Sequence, residues 1–219
     1  MTTQAELLLP EELLLLALRD QGGGWEKGED AARAAVGAGM LAELTMRGGL
    51  VLHDDPPRVT RGKGEATGHP VLDDILDEVA DEGEIPAAEA VARFGTSTNL
   101  QRLAQGLARQ DILKETEERV LLVFTENKYP TADPEPEQRL VERIREAIEA
   151  APDAPLDERT AVLVAIANGT NLLSGHFSAA ELDKAAPRLA AIAERSHTDD
   201  AAANLLRQAS AWDMFKWDL

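Results

Sequence analysis

Apolar positions recur at helical spacing along most of this chain, interrupted by short continuous apolar runs that read as strands. The most informative stretch runs from Gly37 to His53. Leu41 and Leu44 lie three apart with Met40 beside them, forming an apolar stripe on a helix. Arg47-Gly48-Gly49 ends that helix, because glycine takes the left-handed conformation of a C-terminal cap and a cation in the last turn suits the negative end of the macrodipole. Leu50-Val51-Leu52 follows as a strand. The pattern returns about sixty residues later: Leu100, Leu103 and Leu107 make the stripe, and Arg109-Gln110-Asp111 makes the turn. Ile112-Leu113 then opens a strand expected to pair with Val120-Leu121-Leu122-Val123-Phe124, with Thr116-Glu117-Glu118 at the tip.

The remaining elements hang on these two helix–turn–hairpin units. Leu9-Pro10-Glu11-Glu12 starts a helix to about Arg19 that is apolar on most faces and is therefore expected at the centre of the molecule. Gly22-Gly23-Gly24-Trp25 reads as a loop, and Glu29 to Arg47 as a helix whose Ala31, Ala34, Ala35 and Ala38 let a neighbour approach closely. Asp54-Asp55-Pro56-Pro57 turns the chain into a short strand at Arg58-Val59-Thr60, and Gly62 to Gly68 is an exposed loop. Between Val71 and Asp81, Val71, Leu72, Ile75, Leu76 and Val79 face one way, and Asp73, Asp74, Asp77 and Asp81 the other. Further helices are expected from Pro86 to Phe94 and, opened by the capping pattern Thr98-x-x-Gln101, to Arg109. Asn127 to Pro136 reads as a linker, followed by helices at Glu137–Ala150, Leu156–Ala167, Ala179–Arg195 and Asp199–Phe215. Ser178-x-x-Glu181 opens the third of these, with a kink expected at Pro187. The fold class expected is mainly α: one globular multi-helix domain over residues 1–219 with small β-hairpins.

Composition sharpens this. With 44% hydrophobic but only 4% aromatic residues, the core is aliphatic, which suits packed helices. The absence of cysteine excludes disulfides, thiolate metal sites and cysteine nucleophiles, and fits a cytoplasmic setting. Near the N-terminus the uninterrupted apolar run is only Leu13 to Leu18, far short of the roughly 18 residues of a membrane span, so neither signal peptide nor anchor is expected. A formal net charge of −18 repels nucleic acid and anionic surfaces at long range.

No constellation of side chains argues for catalysis. The histidines at 53, 69, 176 and 197 lack the spacing that sets two imidazoles around zinc, and Asp73, Asp74, Asp77 and Glu78 lack the loop geometry of a calcium site, so no metal is expected. Gly22 to Gly28 and Gly62-Lys63-Gly64 miss the phosphate-loop pattern, and Ser174-Gly175-His176 misses the hydrolase nucleophile elbow. Helix–turn–hairpin units also occur in winged DNA-binding domains. Here the two helices carry only Arg102 and Arg109, and Arg33 and Arg47, too few cations for a recognition helix, so no nucleic-acid partner is expected.

Five segments, in this order and spacing, resemble the Golgi phosphoprotein 3 family, members of which also occur in bacteria: Leu7 to Asp20; Gly39 to Leu50; Thr67-Gly-His-Pro-Val-Leu-Asp73; Arg102-Leu-Ala-x-x-Leu107 with Ile112-Leu113; and Leu122-Val-Phe followed by Tyr129-Pro130. The resemblance implies a mostly helical, non-enzymatic, cytoplasmic adaptor, peripheral at membranes. Eukaryotic members of the family recognise phosphatidylinositol 4-phosphate in a basic pocket beside a tryptophan, insert an apolar hairpin and bind the cytoplasmic tails of Golgi glycosyltransferases. By this resemblance the headgroup residues are Trp25, Arg33 and Arg102, and the hairpin is Lys114 to Phe124, with Val120, Leu121, Leu122, Val123 and Phe124 as its apolar run. No cofactor is implied. The same run also suits a strand packed in the core, or self-association, which would make the protein a soluble scaffold that forms homo-oligomers. The family's pocket arginines fall at about Gly37 and before the Arg-Leu-Ala segment, where this chain has Gly37 and Ser97, Thr98, Asn99 and Leu100. At about 1 kcal/mol per basic residue, losing two or three weakens an anionic headgroup by very roughly 30- to 150-fold.

Overall fold

A computed structural model describes residues 6–19, 22–120 and 124–194. Its elements in chain order are helices α1 (Leu9–Ala17) and α2 (Glu29–Met46), strands β1 (Leu50–Asp54) and β2 (Pro57–Arg61), helix α3 (Pro70–Glu82), strand β3 (Glu84–Pro86), helices α4 (Ala87–Phe94) and α5 (Ser97–Arg109), strands β4 (Thr116–Val120) and β5 (Phe124–Lys128), and helices α6 (Glu135–Glu149), α7 (Glu158–Gly169), α8 (Leu173–His176) and α9 (Ala179–Glu194). The mainly α class expected from the periodicity is the one observed.

Helix α1 occupies the centre, as its apolar sequence predicts. All nine of its residues are buried, and it packs against α2, α5, α6, α7 and α8. That position puts the carboxylates of Glu11 and Glu12 out of water, where an unpaired charge is costly. The chain answers with arginines from three other helices. Arg143 Nη2 donates to Glu12 Oε1 at 2.8 Å, and Arg159 Nη2 lies 3.5 Å from Glu12 Oε2. Arg159 Nη1 donates to Glu43 Oε2 at 2.9 Å, and Arg47 Nε donates to Glu43 Oε1 at 2.6 Å. Backbone amides complete the set: Leu9 N–H donates to Glu43 Oε2 at 2.9 Å and Leu8 N–H to Glu11 Oε2 at 2.8 Å. Burial pushes the Glu11 and Glu12 carboxyls above the ordinary range, in Glu12 against the pull of Arg143 and Arg159. Burial pushes Glu43 the same way, but the Leu9 amide, Arg47 and Arg159 outweigh it and hold that carboxyl low.

The end of α2 is closed as its glycines predict. Gly48, at φ 68°, donates to Thr45 O at 2.9 Å, and Gly49 donates to Leu44 O at 2.8 Å, which together form a Schellman cap. The loop Gly62-Lys63-Gly64 folds onto this cap, with Gly62 N–H bonded to Gly49 O and Gly64 N–H to Gly48 O, both at 2.8 Å. Arg61 ties the two together by donating to the carbonyls of Gly49, Gly62 and Gly64 at 2.6–2.8 Å. Those amides are occupied by structure, which is why the loop is no phosphate cradle. Thr67-Gly68-His69 is likewise structural: the Asp73 carboxylate accepts from the Thr67 amide at 2.6 Å and the Gly68 amide at 3.1 Å, closing the start of α3.

Where α2 crosses α4, Gly37 lies against the Val91 carbonyl and Gly95 against the Arg33 carbonyl. A Cβ built on Gly37 would run into the Val91 oxygen and come within 2.8 Å of Gly95 N. Position 37 therefore faces a neighbouring backbone and has no room for an arginine.

Four details differ from the sequence reading. A third strand, β3, extends the first hairpin into an antiparallel sheet of order β1-β2-β3, with Val59 opposite Ile85; three residues are too few to show a period. Helix α5 starts earlier than its capping pattern suggests, because Thr96 is the cap and its hydroxyl accepts from the Asn99 amide at 3.2 Å. Helix α9 is assigned continuously through Pro187. The second hairpin is shifted: β4 pairs with β5 from Thr116↔Lys128 to Val120↔Phe124. Ile112 and Leu113 are buried in the core, and Leu113 bridges only to Thr131, so they are not the partners of Val120–Phe124. The apolar run therefore straddles the connection, with Val120 and Phe124 as the terminal pair. Residues 121–123 and the expected helix Asp199–Phe215 lie outside the described residues.

Three outcomes follow from this packing. Glu43→Ala leaves the buried Leu9 amide without its acceptor and takes a carboxylate from both Arg47 and Arg159, and should cost about 3 kcal/mol or more in urea denaturation. Glu11→Gln keeps an acceptor for the Leu8 amide but removes a carboxyl whose folded pKa is raised. A raised folded pKa contributes stability below the unfolded value that is lost as pH rises through the folded value. Relative to Glu11→Gln, the wild-type urea midpoint should therefore rise as pH is lowered toward the ordinary carboxyl value of 4.5. Gly37→Ala gains about 1 kcal/mol of helix propensity but overpacks a backbone contact by about 1–3 kcal/mol, giving a net loss measurable by thermal unfolding.

Candidate functional site

The site builds from the loop after α1. Leu18 and Trp25 form an isolated antiparallel bridge, with Arg19 N–H donating to Gly24 O at 2.8 Å and Glu26 N–H to Ala17 O at 2.9 Å. This narrow loop presses onto the end of β5. Gly23, at φ 59°, sits so close to the Tyr129–Pro130 backbone that a Cβ there would lie 2.6 Å from Pro130 N. Glycine is needed twice over, for the positive φ and for the approach.

Between this loop and α5 is a cavity of about 460 Å³ lined by Leu18, Gly23, Trp25, Glu29, Ser97, Leu100, Gln101, Ala104, Lys128 and Tyr129. Ser97, Leu100, Gln101 and Ala104 share one face of α5 at i, i+3, i+4 and i+7. Leu18, Leu100, Ala104 and Tyr129 are buried and make the apolar wall, and the Tyr129 hydroxyl donates to Glu115 Oε1 at 3.2 Å. The polar groups are Glu29, whose Oε1 accepts from Ser97 Oγ, together with Gln101 and Lys128.

Of the expected headgroup residues, Trp25 lines this cavity and the two arginines do not. Arg33 Nε donates to Gly95 O at 2.8 Å, and its Nη1 lies 3.9 Å from Asp30, so it serves the α2–α4 crossing. Arg102 is on α5 next to Gln101 but turned to α3, where its Nη2 meets Asp74 Oδ2 at 2.6 Å. The three residues do not converge. The arginine positions read from the resemblance resolve differently: Ser97 and Leu100 line the cavity, while Gly37 lies at a helix crossing. Glu29, Gln101, Lys128 and Tyr129 went unassigned in sequence. Only the i, i+4 pairs Ser97/Gln101 and Leu100/Ala104 signalled a shared face, and nothing local marked Glu29 or Lys128.

Elsewhere, Ser174 Oγ donates to Asn171 O at 2.9 Å, and His176 Nε2 lies 2.9 Å from Leu16 O, so the two are not paired as nucleophile and base. Among the described residues no group of three or more His, Asp or Glu stands together to hold a metal ion, and no helix is long and apolar enough to cross a membrane.

The β4–β5 ribbon springs from the cavity's rim at Lys128–Tyr129, and among the described residues its main contacts are between its own two strands. The buried apolar helix ringed by others is the centre expected from the apolar run at the start of the sequence. A model of the Golgi phosphoprotein 3 (GPP34) family matches residues 9–211, and the chain belongs to that family.

Proposed function

We propose that the protein is a cytoplasmic, non-enzymatic membrane adaptor that touches the bilayer through the apolar end of the β4–β5 ribbon and has little affinity for phosphoinositides. The observation that carries the reading is the ribbon's register. The register pairs Thr116 with Lys128, a cavity residue, at one end of the ribbon and Val120 with Phe124 at the other, and in the sequence these last two bracket the apolar run. An apolar sequence run carried by a ribbon whose main contacts, among the described residues, are between its own two strands suits insertion into a lipid interface. The weak response to phosphoinositide follows from the cavity, whose lining includes one lysine and one glutamate and no arginine. The net charge of −18 opposes anionic surfaces further.

Co-sedimentation with vesicles tests this. The chain should pellet with phosphatidylcholine vesicles at low salt, and adding phosphatidylinositol 4-phosphate should raise binding less than about threefold. Leu121→Asp with Val123→Asp should lower binding about tenfold or more while the circular dichroism stays unchanged. A folded wild type that stays in the supernatant of every vesicle would exclude the membrane reading. If the double variant instead lowers the mass measured by light scattering, the run serves self-association, and a soluble oligomeric scaffold is the better account.

A further inference from the structure

We infer that a second cavity, between the start of α1 and helix α6, binds a free aliphatic α-amino acid. It shares no lining residue with the Trp25 cavity, and the inference does not rest on the membrane reading above. The cavity holds about 430 Å³, within the usual range for small ligands of about 300–1,000 Å³. Leu7 and Glu12 line it from the α1 side and Pro136, Leu140 and Arg143 from α6, where they share one face at i, i+4 and i+7. Three features select the ligand. The first is an acceptor. Glu12 is 4% exposed, and its Oε1 accepts from Arg143 Nη2 at 2.8 Å. Its Oε2 accepts no hydrogen bond among the described residues, although Arg159 Nη2 stands 3.5 Å away. The second is a donor, because Arg143 Nε is buried and donates to nothing among the described residues. A carboxylate oxygen and a guanidinium N–H are both costly to leave unbonded away from water. The third is an apolar wall, made by buried Pro136 and Leu140 and by half-buried Leu7, whose carbonyl is held by Arg159 Nη2 at 2.7 Å.

An aliphatic α-amino acid answers all three at once: its ammonium suits Glu12 Oε2, its carboxylate suits Arg143 Nε, and its side chain suits the wall. Glu12 and Arg143 touch each other, so the two unbonded atoms lie within the span of one small zwitterion. Ligands with one charge fit less well. An amine leaves the Arg143 N–H unbonded and meets a cation, and a simple carboxylate meets Glu12. A peptide amino terminus lacks the adjacent carboxylate. The other charged groups of the lining are not needed, since Arg139 donates to Glu135 Oε1 at 3.1 Å and Glu6 is exposed. Both unbonded atoms are shut from bulk water in the unliganded chain, so binding includes a rotamer change of Arg143, whose side chain is 36% exposed.

Isothermal titration calorimetry on the full chain tests this, with leucine, leucinamide, 4-methylpentanoate and glutamate as probes. Leucine should bind at least about tenfold more tightly than leucinamide, which lacks the carboxylate, or 4-methylpentanoate, which lacks the ammonium. At about ten times its Kd, leucine should raise Tm by about 3 °C or more. Arg143→Lys keeps a cation beside Glu12 but removes the Nε donor, and should weaken leucine at least about tenfold. Leu7→Phe fills the cavity from its half-buried wall without touching the charges and should weaken leucine by a similar factor, about tenfold, which keeps the test open if Arg143→Lys fails to fold. No leucine heat and no rise in Tm overturns the inference, and so does wild-type affinity in both folded variants. Leucinamide binding as tightly as leucine makes the ligand a peptide amino terminus and overturns the free amino acid. Equal affinity for 4-methylpentanoate overturns the zwitterion, and equal affinity for glutamate overturns the aliphatic side chain.

Discussion

The structure depends on burying one helix that is not wholly apolar. Helix α1 fills the middle of the molecule, and Glu11 and Glu12 go in with it. Neither carboxylate tolerates that position alone, so α2, α6 and α7 are arranged to deliver Glu43, Arg47, Arg143 and Arg159 to it. Apolar area supplies most of the drive to collapse, and replacing such ion pairs by well-packed apolar groups often costs nothing. Removing one partner is different, because it leaves a charge with nowhere to go. The cluster thus fixes which helices surround α1 and in what register, and the Trp25 loop leaves α1 from a position set by that packing.

A second constraint is close backbone approach. Gly37 and Gly95 let α2 and α4 touch, Gly62 and Gly64 fold a loop onto the α2 cap, and Gly23 seals the cavity against Tyr129. These contacts redistribute the basic residues. An arginine cannot occupy position 37, and Arg33, one turn earlier, is spent on the Gly95 carbonyl. The polar side chains lining the cavity include a glutamate, a serine, a glutamine and a lysine.

How much was legible in the sequence varied with the range of the interaction. The α1 helix and its burial, the Gly48-Gly49 cap, the Val71–Val79 stripe and the Ser178–Glu181 cap all rest on contacts within a few residues, and periodicity or capping chemistry reveals those. Strand β3 was missed because three residues carry no period. The second hairpin was placed out of register because Ile112 and Leu113 look like strand residues, yet the core takes them and leaves the pairing to the more polar Thr116–Val120 and Phe124–Lys128. The cavity was legible only at Trp25, Ser97 and Leu100. Its other polar residues come from segments up to about a hundred positions apart and meet only after the Trp25 loop closes on β5. The resemblance points to Arg33 and Arg102 as head-group residues, yet each bonds an acceptor on another element, Arg33 the Gly95 carbonyl and Arg102 the Asp74 carboxylate.

The absence of cysteine makes the central claim open to a direct depth measurement, because a single introduced thiol can be labelled uniquely. Spin labels at Leu122→Cys and, as a control, at the exposed Lys63→Cys can be compared by power-saturation EPR on phosphatidylcholine vesicles. The account expects the label at 122 to pass from water into the hydrocarbon when vesicles are added, while the label at 63 stays accessible to aqueous relaxers. A vesicle-bound protein whose label at 122 remains fully aqueous would contradict it.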